Sequence, residues 1–257
     1  MKLLMLGDVV GSPGRRILRE NLPRIRRELG VEAVVVNAEN AAAGSGLTVP
    51  LAEEIFKAGV DAISLGDHTW GQKEFPGSIG RLANVVRPAN LPPEAPGKGW
   101  TLVTTPICRF IVLNVLGRVF MGPVDCPFHA ADAALRQMPK DVPVFVDFHA
   151  EATSEKLAMA YYLDGRVSAI WGTHTHVPTA DEEVFPKGTG YLTDLGMTGA
   201  VRSVLGIRPE QSVETFLGGL PGRYREPEKS AGKMQGAIFT LDDATGLCVG
   251  VERVDVR

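Results

Sequence analysis

The sequence predicts an α/β fold, a single domain in which strands and helices stack as a layered sandwich. Three observations predict it. Short apolar runs of strand length recur along the 257 residues, each closed by a polar residue or a turn. Helical spacings lie between the first of these runs, and strand-helix-strand alternation implies parallel strands with functional loops at their C-terminal ends. The chain is 44% hydrophobic and 22% charged, an ordinary globular balance with ample material for a core.

Lys2 to Leu6 reads as the first strand, ending in Gly7-Asp8-Val9-Val10-Gly11. This apolar start superficially fits a signal peptide, but Gly7 and Asp8 interrupt it and no small-residue cleavage site follows. Ser12 and Pro13 read as the N-cap and first position of a helix whose Leu18, Leu22, Ile25 and Leu29 share a face. Pro23 is expected to kink or divide that helix, and Gly30 to end it. Arg15, Arg16, Arg19, Arg24, Arg26 and Arg27 read as a solvated face; phosphate binding by Arg15 or Arg16 is the lesser reading. Ala33 to Val36 is a second buried strand, leading to Asn37-Ala38-Glu39-Asn40 and a small-residue loop over 41–46. A helix over Leu51 to Lys57, closed by Gly59, precedes a third strand, Val60 to Leu65, which ends in Gly66-Asp67-His68.

From Trp70 to Gly99 prolines and glycines predict an irregular stretch. Thr101–Thr105 and Phe110–Val115 read as a hairpin, and Phe128–Met138 as a helix. Val142–Phe148 is a strong strand ending in His149-Ala150-Glu151, after which Thr153 is a candidate cap for a helix to Leu163, stopped by Gly165. The run Val167–Ile170 leads into Trp171-Gly172-Thr173-His174-Thr175-His176-Val177. Glu183–Phe185 and Gly190–Thr193 read as short strands and Arg208–Leu217 as a helix. Pro221–Gly232 is polar and expected to be exposed, and Met234–Leu241 with Leu247–Val254 close the chain as a β-pair. No repeat or linker divides residues 1–257, which read as one domain with irregular insertions at about 70–99 and 202–232.

The net charge of −3 gives no reason to expect nonspecific nucleic-acid binding; an RNA-related partner stays open without support from charge. No apolar run approaches the ~20 residues of a membrane span. Cys108, Cys126 and Cys248 are odd in number and widely spaced, giving neither a zinc pattern nor a disulfide framework, so a reducing cytoplasm is the expected location.

In an extended chain residues two apart point the same way, so His174 and His176 can face one point beyond a strand end. Converging imidazoles suit a metal ion, although two unrelated loop histidines would look the same. The other strand ends decide between these readings. Asp8, Glu39 with Asn40, Asp67 with His68, and His149 all fall at predicted strand ends, where ligand sites form in α/β sheets. Two or three carboxylates in one small space repel unless a cation joins them, and a binuclear metal centre resolves that repulsion. The absence of thiolates at these positions argues against structural zinc and for a hydrolytic site. Two ions ~3.5–4 Å apart can bind a phosphoryl group and turn a bridging water into hydroxide at neutral pH.

The ordered set Gly-Asp, Ala-Glu-Asn, Gly-Asp-His-Thr-Trp, Phe-His-Ala-Glu-Ala-Thr-Ser-Glu-Lys and Gly-Thr-His-Thr-His-Val resembles the calcineurin-like metallophosphoesterases. It is most similar to their bacterial YmdB-like branch, phosphodiesterases active on cyclic nucleotides, and the likeness runs over nearly the whole chain. The resemblance implies a four-layer α/β/β/α sandwich of the metallophosphoesterase type and two divalent or trivalent ions, Fe or Mn first, with Zn or Co as alternatives. It implies Asp8, Asn40 and His176 at the first ion, Glu39 bridging both, and Asp67, His149 and His174 at the second. His68 would be the catalytic group beside the metals, contacting phosphate or protonating the leaving oxygen.

Two departures stand out. The superfamily's first motif is Asp-x-His, whereas position 10 is Val10; the YmdB-like branch shares that loss, and Asn40 is the substitute. Asp67 stands where the family pattern has Asn, which alters the charge of the centre while keeping an oxygen donor. Elsewhere His129 reads as structural or surface, Glu151 as either a partner of a metal histidine or an exposed helix-start residue, and Asp194 as a lesser candidate for the pocket wall. Trp70 and Trp171 read as core before base-stacking. The Gly7–Gly14 segment is not G-x-G-x-x-G, and no G-x-x-x-x-G-K-[ST] exists, which argues against the dinucleotide and P-loop readings. The expected function is therefore metal-dependent phosphodiester hydrolysis through a metal-bridging hydroxide, with a cyclic nucleotide or related small phosphodiester as partner and a homo-oligomeric assembly. The alternative is a regulatory protein sensing such a ligand at the same di-metal site.

Overall fold

Leu3 and Met5 point one way from the first strand and Leu4 and Leu6 the other, and the two pairs are buried in different cores. Such alternation, apolar on both faces, is what a strand between two packed layers requires. The structure, a computed structural model, describes residues 1–257 except 221, 223, 228 and 229. In chain order the elements are β1 (Lys2–Leu6), β2 (Asp8–Val9), α1 (Gly11–Glu28), β3 (Ala33–Asn37), α2 (Val49–Lys57), β4 (Ala62–Ser64), a 3-10 turn (Ile79–Arg81) and β5 (Val85–Val86). There follow β6 (Trp100–Thr104), β7 (Arg109–Leu116), α3 (Pro127–Leu135), β8 (Val144–His149), α4 (Thr153–Leu163) and β9 (Ala169–Thr173). The last part holds β10 (Glu183–Val184), β11 (Gly190–Leu192), β12 (Met197–Ala200), α5 (Pro209–Phe216), β13 (Gly232–Leu241) and β14 (Cys248–Val256).

One eight-stranded sheet runs β2-β12-β13-β1-β3-β4-β5, with β14 paired to β13; a six-stranded sheet runs β10-β11-β9-β8-β7-β6. β1, β3, β4 and β5 are mutually parallel, as are β7, β8, β9 and β11. Leu18, Leu22 and Ile25 of α1 and Ile55 of α2 cover the outer face of the first sheet through Leu4, Leu6, Val34 and Val36. Ala131 of α3 and Met159, Ala160 and Leu163 of α4 cover the outer face of the second through Ile111, Leu113, Val146 and Ile170. Leu3, Met5, Val35, Val112, Phe145, Trp171 and Phe239 fill the space between the sheets. The architecture is the expected four-layer α/β/β/α sandwich.

Phe145 lies at the centre of the inner layer, fully buried and edge-on to Phe110 at 5.9 Å. Phe145→Ala is expected to destabilise the fold by about 3–5 kcal/mol, the cost of deleting a buried aromatic and leaving its cavity. Denaturant unfolding of the variant measures this.

Three local expectations need correction. α1 is not divided at Pro23, which sits on the exposed side of the helix. The N-cap is Val10, not Ser12; the Ser12 N–H donates to Glu226 Oε1 at 3.0 Å, so a distant carboxylate serves the positive end of the helix. Thr153 begins α4 but does not cap it; the cap residue is Ala152, which makes no side-chain bond.

Among the arginines of α1, Arg15 pairs with Glu54 and bonds the Ala41 carbonyl, and Arg26 pairs with Asp61, so the face is partly a docking face. The stretch over 70–99 contributes β5 to the first sheet. The expectation for Pro221–Gly232 includes residues 221, 223, 228 and 229, which lie outside the described residues; in the described part Tyr224 and Glu226 are half-buried rather than exposed. No helix among the described residues is long and apolar enough to cross a membrane.

Candidate metal centre

The inner layer stops being apolar at one end. Its facing positions run Ala33, Val35, Asn37 along β3, Phe145, Asp147, His149 along β8, and Ala169, Trp171, Thr173 along β9. At that end Asp147 Oδ2 accepts from Asn37 Nδ2 at 3.1 Å and from Ser64 Oγ, and Asp147 Oδ1 accepts from Thr173 Oγ1 at 2.6 Å. Burial pushes the Asp147 carboxyl up to about 6, against the opposing pull of His149 and the two hydroxyls.

This buried polar floor fixes an imidazole above it. Thr173 spends its proton on Asp147, so it accepts the Nδ1–H of His149 at 2.9 Å, and the His149 Nε2 lone pair faces the cleft between the sheets. His176 gives its Nδ1–H to the Leu205 carbonyl at 3.0 Å, which leaves its Nε2 facing Asp8. His174 is turned the other way: its Nε2 lies 3.3 Å from Glu151 Oε2, and its Nδ1 faces inward. Each imidazole thus commits its outer nitrogen to a partner and leaves its other nitrogen facing inward, the arrangement in which outer partners orient metal-binding histidines.

The inward atoms form two adjoining sets. In one, His149 Nε2 is 3.1 Å from His174 Nδ1 and 3.0 Å from Asp67 Oδ1, with Glu39 Oε1 at 3.2 Å. The ligand atoms of Glu39, Asp67, His149 and His174 all lie within 4.8 Å of one another. In the other, Asn40 Nδ2 lies 3.4 Å from Asp8 Oδ1, 3.3 Å from Glu39 Oε1 and 3.2 Å from His176 Nε2. Half a turn of the Asn40 amide would place Oδ1 among those atoms. Glu39 Oε1 belongs to both sets, while its Oε2 accepts the backbone N–H of His68 at 2.8 Å.

Two ring nitrogens 3.1 Å apart beside two carboxylates require a cation between them, either a proton or a metal. Burial works to raise Asp8, but His176, His149 and the His174 N–H together outweigh it and hold the carboxyl well below the usual range. Asp67 is likewise held low, its burial overcome by hydrogen bonds from His149 and His174. Burial would lower His149, yet Glu39 and Asp67 hold its pKa well above the usual value. The donor set, three imidazoles with carboxylates and an amide, fits a pair of ions with hard or borderline character.

His68 lies outside both sets. Its Nδ1–H donates to Asn40 Oδ1 at 2.8 Å, its Nε2 is 3.7 Å from Asp67 Oδ2, and the side chain is 45% exposed. All eight residues singled out from the sequence are therefore brought together. The route taken by the last two differs from the expectation. β9 ends at Thr173, and His174 and His176 have φ of 100° and 63°, so a left-handed turn, not strand alternation, aims their rings.

A family model described as YmdB-like protein matches residues 4–254. The chain belongs to the YmdB-like family. This YmdB-like chain is 44% identical over 255 residues to a 2′,3′-cyclic-nucleotide 2′-phosphodiesterase of Bacillus subtilis (strain 168), covering 99% of the chain and 96% of that relative. It superimposes on a hypothetical protein from Thermus thermophilus with a TM-score of 0.92 and 41% identity, covering 100% of this chain and 99% of the other. A novel phosphatase from Mycoplasma pneumoniae gives a TM-score of 0.92 at 35% identity, covering 100% and 93%. The two-sheet fold of the YmdB-like chain is of the metallophosphoesterase type.

Several residues of the YmdB-like site went unread in the sequence. Asn37, Ser64, Asp147 and Thr173 carried a usable signal, since each is polar at an inward position of an otherwise apolar strand. Glu151 takes the partner role beside His174. Asp194 is buried and ion-paired with Lys156, which lies in the helix after the His149 motif. His129 is exposed on α3, and Trp171 packs on Phe239, as expected of surface and core residues. Gly66 has a steric reason to be glycine: a Cβ there would collide with the His149 ring and the Glu39 carboxylate. Gly66→Ala is expected to displace both and lower metal affinity about 10–100-fold, the range seen when ligand orientation is lost. Titration against a competing chelator measures it.

Proposed function

We propose that the chain is a binuclear metal-dependent phosphodiesterase that hydrolyses cyclic nucleotides, with 2′,3′-cyclic nucleotides the leading class. The observation that carries the reading is the convergence of His149 Nε2, His174 Nδ1, Asp67 Oδ1 and Glu39 Oε1 with every outer imidazole nitrogen already committed. The name of the Bacillus subtilis relative supports the substrate class. Asp8, Asn40 and His176 would hold one ion, Asp67, His149 and His174 the other, and Glu39 both. Oxygen-rich ligation with imidazole suits Fe or Mn first, then Zn or Co. The ions would supply Lewis-acid polarisation of the phosphoryl group and acidification of water.

The chain's own groups do the rest. With Asn40 Oδ1 turned to the ion, Asn40 Nδ2 would face His68 Nδ1, so the ring's other nitrogen, Nε2, is the atom left to exchange a proton. It is placed on the open side of the site, where it can contact the phosphate or protonate the departing ester oxygen. Hydrolysis at the 2′ ester adds water across that bond, leaves a 2′-hydroxyl and yields the nucleoside 3′-phosphate. Free Cys108, Cys126 and Cys248 favour a cytoplasmic setting, and a homo-oligomeric assembly remains part of the reading.

The test is product release from 2′,3′-cyclic nucleotides, 3′,5′-cyclic nucleotides and a generic aryl phosphodiester, with Mn or Fe supplied. Metal-dependent turnover of a cyclic nucleotide is expected. Binding of cyclic nucleotide by the wild-type chain with no turnover of any of the three would replace the enzyme by a sensor.

A further inference from the structure

The turn carrying His174 and His176 places two non-glycine residues in left-handed backbone, so something must hold it there. Asp8 Oδ2 accepts the His174 N–H at 3.2 Å, and Leu205 O accepts from the His176 ring at 3.0 Å. Between them, Asp194 Oδ2 accepts the Thr175 N–H at 3.3 Å. Asp8 is itself a candidate ligand, so Asp194 is the carboxylate that grips the turn from outside the donor sets. Its other oxygen accepts the Gly196 N–H at 2.8 Å, and its own N–H donates to Thr179 Oγ1 at 2.9 Å.

A fully buried carboxylate is costly without a cation. Lys156 supplies it: Nζ lies 2.7 Å from Asp194 Oδ2, and both side chains are 1% exposed. The lysine stem passes against Gly172, where a Cβ would meet Lys156 Cδ at 2.7 Å and Cε at 2.8 Å. α4, the end of β9 and the link from β11 to β12 are therefore tied at one buried point under the turn. The Asp194 charge is balanced there without drawing a cation from the neighbouring carboxylates.

We infer that Lys156 and Asp194 are positioning residues, a buried clamp that sets the His174–His176 turn in its metal-receiving conformation. The inference rests on reading those two histidines as metal ligands.

The test uses Lys156→Met and the charge-neutral Lys156→Met/Asp194→Asn, because a lone buried carboxylate can prevent folding. Mn affinity is measured by chelator competition, folding by thermal unfolding, and the turn by hydrogen exchange at the Thr175 amide. In variants that fold, Mn affinity is expected to drop about 10–100-fold, as for other residues that orient ligands. The Thr175 amide is expected to be protected in the metal-free wild type and to exchange faster in the double variant. Folded variants with wild-type Mn affinity would overturn the clamp, as a merely structural pair would lower stability alone. So would a Thr175 amide that exchanges freely in the wild type, a result that needs no variant to fold. A wild-type chain that takes up no Mn would instead overturn the ligand reading, leaving the clamp to the Thr175 exchange.

Discussion

Replacing Glu39 with alanine is expected to abolish both halves of the centre at once. Its Oε1 is 3.2 Å from His149 Nε2 on one side and 3.3 Å from Asn40 Nδ2 on the other, and the residue is 1% exposed. No other carboxylate among the described residues reaches both sets at such distances. Without it each set loses an oxygen donor and the charge that draws the two ions together. Elemental analysis after gel filtration should find two ions per wild-type chain and fewer than one in Glu39→Ala, with turnover at background. Two ions retained by the variant would show that Glu39 is not the bridge.

Replacing His68 with alanine is expected to give the opposite pattern. His68 contacts Asn40 but lies outside the donor sets, so the ions should stay while turnover falls about 10²–10⁴-fold, the usual range for a general acid or base. The size of the loss should depend on the leaving group. A cyclic nucleotide expels a sugar oxygen that needs a proton, whereas a nitrophenyl diester expels a phenolate that does not. Steady-state rates on both substrates, with metal content measured on the same samples, check this. A variant that loses metal would place His68 among the ligands; equal losses on both substrates would limit it to contacting phosphate.

The sequence made the chemistry legible because the candidate ligands terminate apolar strands. Asp8, Glu39, Asp67, His149 and His174 each follow a run long enough to read as a buried strand, and parallel strands bring their ends together. The helices were legible from spacing and their C-terminal ends from Gly30, Gly59 and Gly165, but the N-caps of α1 and α4 were not. Glu226, more than two hundred residues away in sequence, takes over the N-terminus of α1, and local capping rules cannot see a partner supplied by tertiary packing. Pro23 does not divide α1, and the side of the helix that faces out is likewise settled by tertiary packing.

The aim of His174 and His176 was anticipated for a reason that does not hold. Alternation would point them together only if β9 continued, and it stops at Thr173. The left-handed turn that replaces it is held by Asp8 and Asp194, one on each sheet's side of the cleft, and no local pattern encodes it. The second layer under His149 was readable in principle. Asn37 and Asp147 interrupt valine-rich and phenylalanine-rich strands at inward positions, where a buried polar group must have a partner.

The central claim is two metal positions sharing Glu39. It is tested most directly by anomalous diffraction at the Mn and Fe edges on crystals of the metal-loaded chain. Two peaks are expected, one bounded by Asp8, Asn40 and His176 and the other by Asp67, His149 and His174, with Glu39 reaching both. A single peak, or none within these side chains, would contradict the binuclear reading.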